Sequence, residues 1–533
     1  MTVRRALLSA CLLFGLGAAP LPAQLAVTPE ESARFLSQAT VGANWEEIHR
    51  MAEMGFEAWL DEQFGRPIGY HQPFLDQRAQ LGLEVTAGHR RWSWWEQVMQ
   101  GPDPLRQRIA LALSEHFVVS DNLGPIRDNP RGLANYYDML LENAFGNYRD
   151  LLFGVSVHPV MGVYLSHLRN EKSNPSIGRF PDENYAREIM QLFSIGLFEL
   201  RPDGSFVLSG TGESIPTYDN GDITEFAKIF TGLSFDSPDF NFDDGVAVWT
   251  EPMRMYEEFH EPGPKQLLRG KHVPAGQTGM QDINDAIDNL FEHPNVGPFV
   301  ARRLIQRLVT SNPSPGFIQR VAAVFADNGS GVRGDMRTVL SAILLDPEAR
   351  DWPDSSAIGH GMLRESFLRR VHLARAFDAS NLAFSFPISD RGAPGDFSQR
   401  PLSSPTVFNF FLPDHLPAGP IADAGLVGPE FQIITAVTAI SSANALRTQV
   451  DRAMNFDPDD TLEVRLNLND EIAVAWDVIA LVDRLDLLLM YGDMSAPMRQ
   501  VLIQALLQLD DPEARARMAV HLISISPEYC VLK

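Results

Sequence analysis

From Thr28 to about Ile525, apolar residues return at helical spacing, and the stretches between them carry helix stops and starts rather than strand-like alternation. That pattern constrains the fold more than any single motif. Thr28-Pro29-Glu30-Glu31 is a helix start, followed by a stripe of Ala33, Phe35 and Leu36. Val41 to Asn44 breaks it, so 28–64 reads as two helices, and 65–85, rich in Pro, Gly and mixed polarity, reads as loop. Further helices are expected over 90–119, 133–152, 155–168, 281–292, 295–310, 315–327, 336–345, 359–378, 429–446, 470–487, 496–509 and 512–525. Arg364, Arg369, Arg370 and Arg375 make 359–378 basic, and a solvated face is the ordinary reading of such arginines. Two β-prone runs around Pro202-Asp203-Gly204 predict a small hairpin. The fold class is therefore mainly α: a large multi-helix globular fold with a small β-hairpin and long irregular loops at 234–275 and 380–428.

The 533 residues are enough for a large core and more than one domain. A signal peptide is expected over 1–23: Arg4 and Arg5 precede an apolar run too short to span a bilayer, and Leu21-Pro22-Ala23 is a passable cleavage site. A helical core domain over 24–351 and a C-terminal helical region over 352–533, packed on it, complete the division. Export to the periplasm or beyond follows from that reading, and no later run is long enough for a membrane helix. The formal net charge of −24 argues against a nucleic-acid partner, whose footprint would be basic. Of two cysteines, Cys11 leaves with the signal, so Cys530 has no intramolecular partner.

The stretch 179–197, RFPDENYAREIMQLFSIGL, carries the most chemistry. Pro181 suits a first helical position, Asp182 and Glu183 place acids in the first turn, and Gly196 suits a stop. Asn184, Arg187, Glu188 and Gln191 fall on one helix face. Elsewhere, His116 lies in an apolar helical run beside Glu115. Asp222-Ile223-Thr224-Glu225 reads as a capping-box start for a helix that runs past Thr231 and ends at Gly232. His260 to Lys265 is a turn bearing a base, an acid and an amine. Glu188 with a histidine could run acid–base chemistry. Arg187 could hold an anion. Two histidines and a carboxylate could hold a metal, although no metal or cofactor can be assigned. A buried Arg–Glu–Asn network locking helices together accounts for the same residues. Asp236, Asp239, Asp243 and Asp244 fit no EF-hand spacing and read as a solvated loop. Serine-hydrolase elbows, zincin helices, P-loops and dinucleotide fingerprints are absent.

Laid end to end, these motifs resemble the large bacterial family catalogued as domain of unknown function 1800 (DUF1800). The resemblance runs through ARFLSQATVG (33–42), LRQRIALALSEHF (105–117), ENAFGNYRDLL (142–152) and PDENYAREIMQLFSIG (181–196), the last similar to the family's hallmark run. It continues through DITEFAKIFTGLSF (222–235), FHEPGPKQLLRG (259–270), MLRESFLRR (362–370), SPTVFNFF (404–411) and ISISPEY (523–529). Asp182 stands where the family often has Asn, Gln191 where it often has Glu, and Glu261 where Asp often follows the histidine. Gln191 leaves one acid fewer on the stripe, which weakens a two-carboxylate mechanism.

The resemblance implies an exported protein, often encoded beside a second secreted family, numbered 1501, that looks like sulfatases. A sulfatase-like partner is therefore an expectation. It also makes one shared pocket a natural explanation for polar residues scattered through the motifs. In that pocket Glu188, His116 and His260 would be catalytic, and Asn184, Arg187, Gln191, Asp222, Thr231 and Lys265 would bind substrate. The implied activity is a hydrolase or lyase on a carbohydrate or other polymer; the alternative is a non-catalytic envelope protein that binds or assembles with a secreted partner.

Overall fold

The first helix starts where Thr28 requires. Its Oγ1 accepts from Glu31 N (3.2 Å) while Glu31 Oε2 accepts from Thr28 N (2.8 Å), satisfying two donors that a helix start leaves open. The computed structural model describes residues 27–239, 241–351, 359–388 and 396–533. The expected signal peptide, Cys11 and the proposed boundary at 352 lie outside those residues. The described chain is mainly α, with 25 α-helices and three two-residue antiparallel strand pairs. Leu233–Ser234 pairs with Arg254–Met255, Lys265–Gln266 with His272–Val273, and Met362–Leu363 with Val531–Leu532. Among the described residues no helix is long and apolar enough to cross a membrane.

Several boundaries differ from the sequence reading, each for a local reason. The 28–64 region holds three helices, because Gly55, at φ +82°, separates Trp45–Met54 from Phe56–Gly65. The expected loop over 65–85 contains the helix Gln72–Gln80, which buries only Leu75 and so shows almost no apolar stripe. The expected 90–119 helix is two, Ala87–Gln100 and Pro104–Ser114, divided at Gly101-Pro102. The arginines of 359–378 are not a solvated face. Helix Ser366–Ala376 is buried along its whole length, and Arg364, Arg369, Arg370 and Arg375 are buried with it. The expected hairpin at 198–208 is present, with Leu200 paired antiparallel to Phe206 across the 202–204 turn, and a third segment closes it into a small ring: Glu199 N donates to Ile215 O, Ile215 N to Val207 O, and Val207 N to Glu199 O.

Pro104–Ser114 is the central helix. Every residue from Leu105 to Ser114 is buried, as expected of a helix surrounded by others. It packs on Pro130–Asn143 and Val296–Leu308, and the latter packs on Pro315–Ala326. Buried apolar side chains from Ala33 to Leu532 form one contiguous core. The C-terminal helix Val478–Met490 contributes by packing on Pro29–Ala39.

Candidate functional site

The central helix ends by delivering two polar residues, Glu115 and His116, to the wall of a cavity of about 430 Å³. Other segments contribute to that wall, among them the end of the 184–191 helix with its exit to Phe198, Phe206, one face of Val296–Leu308, the 407–414 loop and Glu430.

His116 Nε2 lies 2.9 Å from Tyr148 Oη and 3.3 Å from Phe193 O, and Tyr148 Oη donates to the same carbonyl at 2.6 Å. The tyrosine proton is thereby committed, so Nε2 carries a hydrogen and donates. Among the described residues Nδ1 has no hydrogen-bond partner. Burial, reinforced by the nearby Arg303 and Arg307, lowers this imidazole to about 3. The cavity thus contains a neutral histidine whose Nδ1 lone pair is uncommitted.

Glu115 belongs to a buried acid cluster. Gln399 Nε2 donates to Glu115 Oε1 at 2.8 Å and also to Glu365 Oε2. Arg307 Nη1 lies 3.0 Å from Glu115 Oε2 and 4.0 Å from Glu365 Oε1. Burial, with the neighbouring Glu365, pushes Glu115 up to about 8. Burial likewise pushes Glu430, which also lines the cavity, up to about 8. Burial thus favours the protonated form of both carboxyls, against the pull of Arg307 on Glu115.

Arg302 and Arg303 occupy the same wall. Among the described residues neither has a carboxylate within 4.0 Å, and Arg302 makes no hydrogen bond. Arg303 reaches Gln306 Oε1 at 3.5 Å and lies over the Phe299 ring. Asn409, at φ +66° and buried, lines the cavity with its Nδ2 unpartnered. The rim is apolar and exposed, formed by Leu197, Phe198, Phe206, Phe408 and Leu412.

The nine residues singled out from the sequence are spread over several places. His116 and Gln191 line the cavity. Glu188 is buried one turn before Gln191, with Oε2 unpartnered and its carboxyl raised by burial. Tyr218, raised to about 12 by burial and by Glu188, places its hydroxyl 3.5 Å from Gln191 Oε1. Asn184 and Arg187 face outward: Asn184 is exposed, and Arg187 pairs with Glu183 at 3.6 Å. The 184–191 helix starts at Asn184 and not at Pro181, because Asp182 Oδ1 accepts from Asn184 N (2.8 Å). Gly196 ends the segment as expected, at φ +72° with its N–H on Met190 O.

His260, Thr231 and Lys265 form a second, fully buried cluster away from the cavity wall. His260 Nδ1 meets Thr231 O at 2.9 Å, and Nε2 meets Asp282 Oδ2 at 2.9 Å. Lys265 Nζ donates to Glu261 O and to Asp282 Oδ2. Burial works to raise the Asp282 carboxyl, but hydrogen bonds from His260, Lys265 and Gln277 outweigh it and lower it. Asp222 is elsewhere again. It sits at the third position of helix Asn220–Ile229 and accepts from Asp219 N, so the capping box begins three residues earlier than read from the sequence.

Sequence reasoning passed over Arg302, Arg303, Arg307, Asn409 and Glu430. One signal was there to find: Val296–Leu308 carries three arginines and no acid on an otherwise apolar helix. Among the described residues no group of three or more His, Cys, Asp or Glu side chains converges as metal ligands.

Comparison with curated proteins gave no match, and neither did comparison with solved structures. A family model described as "Protein of unknown function (DUF1800)" matches residues 34–531. That match spans nearly the whole chain, including every segment that builds the cavity, and the chain belongs to the DUF1800 family.

Proposed function

We propose that the chain is an exported hydrolase or lyase acting on a carbohydrate or other polymer, with the cavity at His116 as its site. The observation that carries this reading is the neutral imidazole held by Tyr148 and Phe193 with Nδ1 uncommitted. A base must be unprotonated and oriented before it can accept a proton; His116 meets both conditions, and an anionic substrate group in the cavity would raise the imidazole from about 3 towards the working range. In a hydrolase it takes a proton from the attacking water; in a lyase it takes one from the carbon beside an electron-withdrawing group. Glu430, pushed up to about 8 by burial and on the same wall, is the matching proton donor. Gln191 contacts the substrate, and Glu188 with Tyr218 supports Gln191 from behind. His260, Thr231, Lys265 and Asp282 form a brace between the 231–265 segment and helix Gly279–Phe291.

The alternative, a non-catalytic envelope protein that assembles with a secreted partner, draws on Val437 and Ile440. Both are exposed and lie one turn apart on Ala436–Asp451. An activity screen separates the two readings. Purified protein is incubated with a panel of polysaccharides, following new reducing ends for either reaction and ultraviolet absorbance for unsaturated lyase products. The expected result is cleavage of at least one polymer, with His116→Ala reducing the rate at least about 100-fold at unchanged melting temperature. Undiminished cleavage by His116→Ala contradicts the placing of the site at His116, and no cleavage across the panel contradicts the enzyme reading.

A further inference from the structure

We propose that the cavity recognises the carboxylate of an acidic sugar unit through Arg302, Arg303 and Asn409, an assignment that rests on the polymer-acting reading and narrows its substrate class. The argument begins with unmet hydrogen-bond demand. Arg302 Nε and Asn409 Nδ2 are buried at the cavity wall without partners, and both are donors. Buried donors are normally paired, so both side chains carry unspent donor capacity beside the cavity.

Charge points the same way. Acids outnumber bases in this chain by 68 to 44, yet Arg302 and Arg303 sit together with no carboxylate within 4.0 Å among the described residues. Arg307, the third guanidinium of the wall, is engaged by Glu115. Asp414, exposed and lining the same cavity, is the acid that acts on the pair. Two guanidinium groups opposite one acid favour a singly charged anion over a dianion such as a phosphate monoester. A planar carboxylate also matches the fork of a guanidinium.

The remaining surfaces suit a sugar. Phe198 and Phe206 meet edge to face at 5.6 Å on the rim, and Phe299 lies beneath Arg303, offering apolar faces to a ring. A carboxylate bound at the arginines would also acidify the neighbouring C–H bond, and His116 is the neutral base on the same wall.

Calorimetric titration of the full chain tests this. The probes are trisaccharides of galacturonate, glucuronate and mannuronate, each against its uncharged parent sugar, with acetate and inorganic sulfate as simple anions. The expected result is binding of at least one uronate trisaccharide about tenfold or more tighter than its neutral parent. Arg302→Gln and Arg303→Gln should each weaken it about tenfold, the scale of one charge-assisted hydrogen bond, at unchanged melting temperature. Asn409→Ala should weaken it less. Equal binding of charged and neutral sugars, no binding of any uronate, or indifference to both arginine substitutions overturns the proposal. Sulfate competing better than acetate also overturns it, by marking a general oxyanion site. If polymers are cleaved without uronate preference, this inference fails and the enzyme reading stands; if uronates bind but nothing is cleaved, the enzyme reading fails.

Discussion

Asp282 shows how much one residue can organise. Its carboxylate accepts from His260 and Lys265, which reach it from the far side of the 231–265 segment, and all three side chains are buried. Removing it strands a lysine without a counter-charge. Asp282→Ala should therefore cost about 3–5 kcal/mol of unfolding free energy in urea titration, and a loss under about 1 kcal/mol would contradict the brace. Gly232 belongs to the same cluster. It sits at φ +85°, and an added Cβ would lie 2.9 Å from Met255 Sδ and 3.0 Å from both His260 N and Tyr256 O. Gly232→Ala should cost about 1–3 kcal/mol in the same titration, because strain and crowding act together. The sequence put Thr231, His260 and Lys265 in one proposed pocket with His116 and Glu188; in the fold these three gather around Asp282, away from His116. It could not supply Asp282, which comes from the next helix and follows no local spacing. Nor could it separate this cluster from His116, since a histidine bound to an aspartate and one open to a cavity look alike in one dimension.

At the scale of elements, helix positions were legible wherever an apolar stripe or a cap was strong. Asp335 caps Met336–Leu344, Thr28 caps Pro29–Ala39, and both follow from side-chain type alone. Helix Ser366–Ala376 shows where such reasoning stops. Four arginines looked like a solvated face, yet each is buried. Arginine stems pack as apolar matter while the guanidinium reaches distant acceptors. Arg375 is the clearest case: Nε donates to Gly42 O (2.6 Å), Nη1 to Val98 O (2.5 Å) and Nη2 to Glu47 Oε1 (2.6 Å). It ties three elements of the N-terminal half to a helix of the C-terminal half. Arg375→Ala should cost about 3–5 kcal/mol by denaturant titration, whereas a surface arginine would cost less than about 1 kcal/mol. Val296–Leu308 is the converse. The sequence drew no reading from its arginines; only once the neighbours are placed is it visible that Arg302 makes no hydrogen bond and that, among the described residues, neither it nor Arg303 has a carboxylate within 4.0 Å.

The whole molecule combines buried acids and buried histidines with opposite consequences for stability. His71, His116 and His158 are lowered to about 3, and His167 and His293 to about 4, all chiefly by burial. Depressed imidazoles favour the fold above 6.5, the ordinary imidazole value, and that stability is lost as pH falls towards 3. Glu115 and Glu430, raised from 4.5 to about 8, act the other way. Their contribution is complete below 4.5 and is lost as pH rises through about 8. Above 6.5 the histidines are neutral in both states, so the carboxyls set the slope. Stability should fall between pH 6.5 and about 8, by about 1–2 kcal/mol for each glutamate, and Glu115→Gln with Glu430→Gln should flatten that fall. Denaturant midpoints across the range give the answer.

The same arrangement underlies the functional reading, which requires His116 to be neutral, bonded through Nε2 and open at Nδ1. Nitrogen NMR of ring-labelled histidine, with His116 assigned by its loss in His116→Asn, measures all three properties. The account predicts the Nε2–H tautomer, neutral from pH 6.5 down towards about 3. Protonation with a midpoint near 6.5, or a proton resident on Nδ1, would contradict it.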